Sequence, residues 1–124
     1  IRATDLMTFK ATLTAYSNDF GYDRALMRQL RNLASAGQAL VVVSGSGDSP
    51  NIIMALAEAR RIGMLTIGLL GFGGGMAVGL CDASLLVPSK EYGPVEDAHA
   101  VVTHALQAAL RESAAGVTVG TAAP

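Results

Sequence analysis

Ser44–Asn51 reads SGSGDSPN and follows the apolar run Ala39–Val43 directly. Serine hydroxyls can donate to phosphate oxygens without adding charge, and glycines let the backbone approach a ligand closely. Pro50 then opens a helical pattern, whose first N–H groups and dipole attract an anion. The spacing is neither the GxxxxGK[ST] nor the GxGxxG phosphate motif. No lysine is present in the stretch to hold the terminal phosphates of a nucleotide, so a monophosphate fits better and no nucleotide cofactor is expected. On composition alone, a plain Gly/Ser turn explains the stretch equally well.

A second stretch, Val95–Leu106 (VEDAHAVVTHAL), places two histidines and two acids in an otherwise apolar helical pattern. A lone histidine there would read as a satisfied core residue; several ionisable groups together point toward a site. Glu96 and His104 stand about 12 Å apart along an ideal helix, so a shared ion needs Glu96 in the first turn reaching forward, or help from a neighbouring subunit. Asn18 and Asp19 precede a helical pattern, where helix capping and a contact to a sugar hydroxyl are the competing readings. Gly71–Gly75 (GFGGG) offers no side-chain chemistry and reads as a loop that lets strand and helix pack closely.

The elements expected to position these residues alternate between strand and helix. Strands are predicted at Ile1–Thr4, Ala39–Val43, Leu65–Leu70 and Ser84–Val87; the second and third are continuous apolar runs, the pattern of strands buried on both faces. Helices are predicted at Asp23–Ala34, Pro50–Ile62 (capped by Ser49 or Asp48 and ended by Gly63) and Val95–Arg111. This order implies an α/β fold with a parallel sheet and right-handed crossovers, its ligands bound at the carboxyl ends of the strands. Beyond Glu112, the small-residue segment is expected to be a disordered tail.

The 124 residues suffice for one domain. A net charge of −1 with interspersed signs gives no footprint for nucleic acid or an anionic membrane. The single cysteine, Cys81, makes no internal disulfide, and no apolar run approaches the ~20 residues of a spanning helix. With no signal-peptide pattern, the simplest expectation is a cytoplasmic protein. Residue 1 is Ile, and IRATDL reads as the middle of something, so an upstream piece is expected.

Together, NDFGYD (Asn18–Asp23), SGSGDSPNI (Ser44–Ile52), GMLTIGLLGFGGG (Gly63–Gly75) and VEDAHAVVTH (Val95–His104) resemble the phosphoheptose isomerase branch of the SIS (sugar isomerase) domain family, in its order and approximate spacing. The resemblance implies a flavodoxin-like, three-layer α/β/α SIS fold, here lacking its N-terminal helices and first strand, with residues 1–112 a partial SIS domain and 113–124 the tail. It implies a homotetramer with sites at subunit interfaces, and a small phosphorylated sugar as ligand. The reaction implied is interconversion of sedoheptulose 7-phosphate and D-glycero-D-manno-heptose 7-phosphate through an enediol. By the same resemblance, Ser44, Gly45, Ser46 and Ser49 hold the phosphate, and Asn18 and Asp19 lie near the sugar. His104 is an acid/base residue and zinc ligand; Glu96, where the family usually has Gln, is a substrate and zinc contact. Gly45 stands where Thr is common. The family's GNGGS turn and catalytic Glu would lie upstream of Ile1. The alternative reading is a non-catalytic sugar-phosphate binder, such as a relative of the replication-initiation regulators of this branch.

Overall fold

The computed structural model describes residues 2–116. The chain forms α1 (Lys10–Phe20), α2 (Tyr22–Leu33), β1 (Ala39–Ser44), α3 (Pro50–Ile62), β2 (Leu65–Leu70), a 3-10 turn (Ala77–Leu80), β3 (Ala83–Leu86) and α4 (Tyr92–Ala114). The strands build a parallel sheet in the order β1-β2-β3, with Val42 opposite Gly68 and Gly68 opposite Ser84. This is the α/β class expected from the alternation of elements.

α2 and α3 cover one face. Leu26 and Leu30 of α2 pack with Ala55 and Ala59 of α3, and Leu56 joins Val42 and Leu70 beneath them. The apolar stripe recurs at three- and four-residue spacing, which is why both segments are helical. Glu58, almost fully buried, ties the two helices together. It accepts from Arg31 Nε at 2.9 Å and from Arg61 Nη2 at 2.7 Å. The Arg61 and Arg31 guanidiniums hold its carboxyl down to about 2. α3 ends where Gly63 turns left-handed (φ 88°), as the glycine there predicts.

α4 crosses the opposite face against β2 and buries Val95 and His99. It does not reach across β1: Val41 and Val43 remain 47% and 53% exposed. The expectation that β1 is buried on both faces is therefore corrected. An apolar strand is buried only where a helix covers it, and among the described residues β1 has a helix on one side only.

Four further differences have local causes. Residues 2–5 form no strand, because no neighbour offers them a ladder; Ile1 lies outside the described residues. α1 was not foreseen: it carries no fully buried residue and only a weak apolar stripe, so periodicity does not reveal it. It is held through Leu13, which packs on the α2–α3 core, and through Tyr16, whose hydroxyl accepts from Asn32 Nδ2 at 2.6 Å. α4 begins at Tyr92, since Pro94 is tolerated in a first turn, and runs to Ala114, two residues into the expected tail; 117–124 lie outside the described residues. No helix among the described residues is long and apolar enough to cross a membrane.

Candidate functional site

β1 ends at Ser44 and α3 starts at Pro50, so the serine turn sits at the carboxyl end of a parallel strand. Two of its serines build the turn itself. Buried Ser44 accepts from the Gly47 N–H at 3.0 Å, and Ser46 Oγ accepts from the Asp48 N–H at 3.2 Å. Ser49 occupies the N-cap position, yet neither it nor Asp48 makes a side-chain cap bond, contrary to the expected capping role. The N–H groups of Ser46, Ser49 and Asn51 have no protein partner among the described residues. Three amides and the Ser49 hydroxyl thus stay available at the positive end of α3, the donor set an anion needs.

The glycine-rich loop fixes this turn. The Ala77 N–H donates to the Gly47 carbonyl at 2.9 Å, and the Met76 N–H donates to Asp48 Oδ1 at 2.7 Å. Gly47 has φ 72°, and a Cβ there would run into the Gly74 carbonyl, so only glycine suits the position. GFGGG is therefore a packing element, as its lack of chemistry suggested, and the thing it packs is the serine turn. Asp48 was missed as the strap between the loops; nothing in its spacing marks it, since its partner is 28 residues away.

Ser44, Gly45, Ser46 and Ser49 are brought together in one turn; Asn18 and Asp19 stand on α1, and Glu96 stands one helical turn beyond Tyr92, whose ring lies against Gly45. Asn18 and Asp19 lie in the last turn of α1, exposed, with Asn18 Nδ2 donating to Asp19 Oδ1 at 3.4 Å. They do not cap α2, whose N-cap is Gly21. Glu96 and His104 are exposed on α4, two turns apart. Tyr92 and, one turn on, Val95 bring the start of α4 beside the turn: a Cβ on Gly45 would meet the Tyr92 ring, and a Cβ on Gly71 would meet both Val95 methyls and the Gly45 carbonyl. His104 is nine residues beyond Val95, about 13 Å down the helix. Among the described residues no three His, Cys, Asp or Glu side chains cluster as a metal site. Glu96 and His104 alone therefore do not make a zinc shell. The buried histidine is instead His99, 4% exposed, with Nε2 unpartnered among the described residues. Its only sequence signal is the four-residue spacing from buried Val95, which puts both on the sheet-facing side.

A cleft of about 1460 Å³ runs from Ser44, Gly45 and Ser49 around the β1 edge, between Leu26 and Ala55 on the α2–α3 side and Thr103 and Leu106 of α4 on the other. The turn thus opens onto a space large enough for a small organic ligand.

Comparison with known proteins agrees with this geometry. The SIS domain family profile matches residues 1–71, more than half of the chain. The chain is 39% identical over 118 residues to the phosphoheptose isomerase of Trichlorobacter lovleyi, covering 95% of this chain and 60% of that protein. It is 45% identical over 101 residues to that of Aliarcobacter butzleri, covering 82% and 53%. The solved phosphoheptose isomerase of Neisseria gonorrhoeae superposes with a TM-score of 0.81 at 36% identity, over 83% of this chain and 59% of that one. The chain thus spans about half to three-fifths of the length of the relatives it matches. By its parallel sheet and its matched profile, the chain belongs to the SIS domain family.

Proposed function

We propose that this protein is a sugar-phosphate isomerase of the phosphoheptose isomerase type, interconverting sedoheptulose 7-phosphate and an aldoheptose 7-phosphate. The observation that carries the reading is the serine turn, with three unpaired amides and a free hydroxyl at the head of α3. The names of its relatives, at about 40% identity, supply the substrate class.

In this reading the turn holds the phosphate and fixes the sugar chain beside it. One group removes the proton from the carbon beside the carbonyl while another protonates the carbonyl oxygen; the resulting enediol is then protonated at the former carbonyl carbon as the hydroxyl on its neighbour gives up its proton to form the new carbonyl. His104 is proposed as one of the two groups, because imidazole exchanges a proton near neutral pH. Its separation from the turn along α4 favours a site in which His104 of one copy meets the cradle of another, hence a homo-oligomer, with four copies proposed. Asn18 and Asp19 are proposed to face the sugar from a neighbouring copy as well. Zinc belongs to the proposal only with donors from another copy joining Glu96 and His104, and no step above depends on it. The cytoplasm is the proposed compartment.

Conversion of sedoheptulose 7-phosphate by the intact protein, followed by NMR, tests the reading. His104→Ala is expected to lower turnover by about 10²–10⁴-fold, with little change in melting temperature because the side chain is exposed. Full activity in that variant removes the acid/base role. Tight binding of the sugar phosphate without turnover selects the non-catalytic regulator instead.

A further inference from the structure

Phe72 is the one non-glycine residue with positive φ among the described residues, at 51°. For an aromatic residue this backbone is an outlier, held only where its surroundings demand it. Its N–H donates to the Ser89 carbonyl at 3.1 Å, which draws the loop toward the start of α4. There its ring meets Tyr92, with centroids 4.7 Å apart and planes tilted by 52°. Both rings press on the serine turn. A methyl group at Gly45 would lie 2.8 Å from Tyr92 Cε1 and 3.6 Å from Phe72 Cε2. Yet Tyr92 remains 59% exposed. A ring that served only as a plug would be covered; this one stacks on Phe72, lies against Gly45 of the donor-rich turn and keeps most of its surface exposed.

We propose that Tyr92, braced by Phe72, is a binding residue for the carbon skeleton of the phosphorylated sugar. The inference rests on the serine turn being the phosphate cradle. The chemistry suits a polyol. The C–H face of a sugar chain packs on an aromatic ring, and the phenol hydroxyl can bond a sugar hydroxyl. Gly45, with no Cβ, is what lets the ring come against the turn. Inorganic phosphate has no apolar face and gains nothing from the ring, so Tyr92 separates sugar phosphates from phosphate itself.

Calorimetric titration of the intact protein with inorganic phosphate and with sedoheptulose 7-phosphate tests this. Tyr92→Ala is expected to weaken the sugar phosphate about 5- to 10-fold and to leave phosphate affinity within about twofold. Tyr92→Phe, which keeps the ring, is expected to restore most of the loss. Equal weakening of both ligands would mean that the ring merely shapes the turn, and no weakening of either would mean that it touches nothing; each overturns the proposal while the cradle stands. Absence of binding of both ligands to the unaltered protein overturns the cradle and this inference together.

Discussion

On one face of the sheet, α2 and α3 bury Leu26, Leu30, Leu56 and Ala59, and an ionic clamp at Glu58 joins the helices. On the other face, α4 buries Val95 and His99, while Val41, Val43, Leu106 and Leu110 stay substantially exposed. Both faces are apolar in sequence, so hydrophobicity alone does not distinguish them. What differs is the presence of a second helix. The first face carries the stability of the described chain, and the second leaves β1 side chains bare beside a cleft that wraps the β1 edge from the serine turn. The contrast is sharpest between Leu56 and Val43, which sit on opposite sides of the same sheet.

The largest effect is expected at Leu56, which is wholly buried beneath α3. Leu56→Ala removes its contacts with Val42 and Leu70 and leaves a void, at a cost of about 3 kcal/mol in chemical denaturation. A loss below about 1 kcal/mol would mean that the packed face is looser than its burial indicates, and the contrast between the faces would dissolve.

Glu58 comes next. Its carboxyl is held near 2 in the folded chain against an ordinary value of 4.5. A depressed carboxylate stabilises the fold above its unfolded value, and that contribution fades as pH falls through the folded one. Stability should therefore decline from about pH 4.5 toward pH 2 and be flat above pH 5 as far as this group is concerned. Because Arg31 and Arg61 are 43% and 66% exposed, solvent screens the clamp, and Glu58→Gln is expected to cost about 1–2 kcal/mol at pH 7. The same variant should flatten the acid limb of the stability curve. An unchanged limb would assign acid unfolding to other carboxylates.

How much of this was legible beforehand follows from where each element gets its stability. β2 and α3 have the expected bounds, because their apolar patterns and the flanking Pro50 and Gly63 act locally. The serine turn was legible for the same reason: strand, glycines, hydroxyls and helix start are consecutive. α1 was not, since it depends on α2 more than on its own pattern. Asp48 and the Phe72–Tyr92 pair were missed because their partners are distant in sequence and close only in the fold. The bare side of β1 was misread because a continuous apolar run reports hydrophobicity, not which helix covers it.

The strap at Asp48 should matter less to stability than the clamp and more to binding. Asp48→Ala leaves the Met76 N–H without its acceptor, but that group is near solvent, so a loss of about 1 kcal/mol is expected. Phosphate affinity, measured by titration, should fall further than stability does, because the turn loses one of its three ties to the glycine loop while the Ala77–Gly47 and Gly71–Ser44 bonds remain. Asp48→Asn retains an acceptor oxygen and should behave nearly as the native residue. If Asn is as damaging as Ala, the carboxylate charge rather than the hydrogen bond is what the turn requires.

The smallest effect is expected at Val43, and it is the most informative about the second face. Val43→Thr keeps shape and strand preference and adds one hydroxyl. At a site 53% exposed, water solvates that hydroxyl, and the change should stay within about 0.5 kcal/mol. If another surface covers β1 in solution, the hydroxyl is buried without a partner and the cost rises to about 1–3 kcal/mol. Repeating the denaturation at several protein concentrations separates the two cases. A cost that grows with concentration places a second copy against β1, whereas a small and constant cost leaves the wall of the cleft open to ligand.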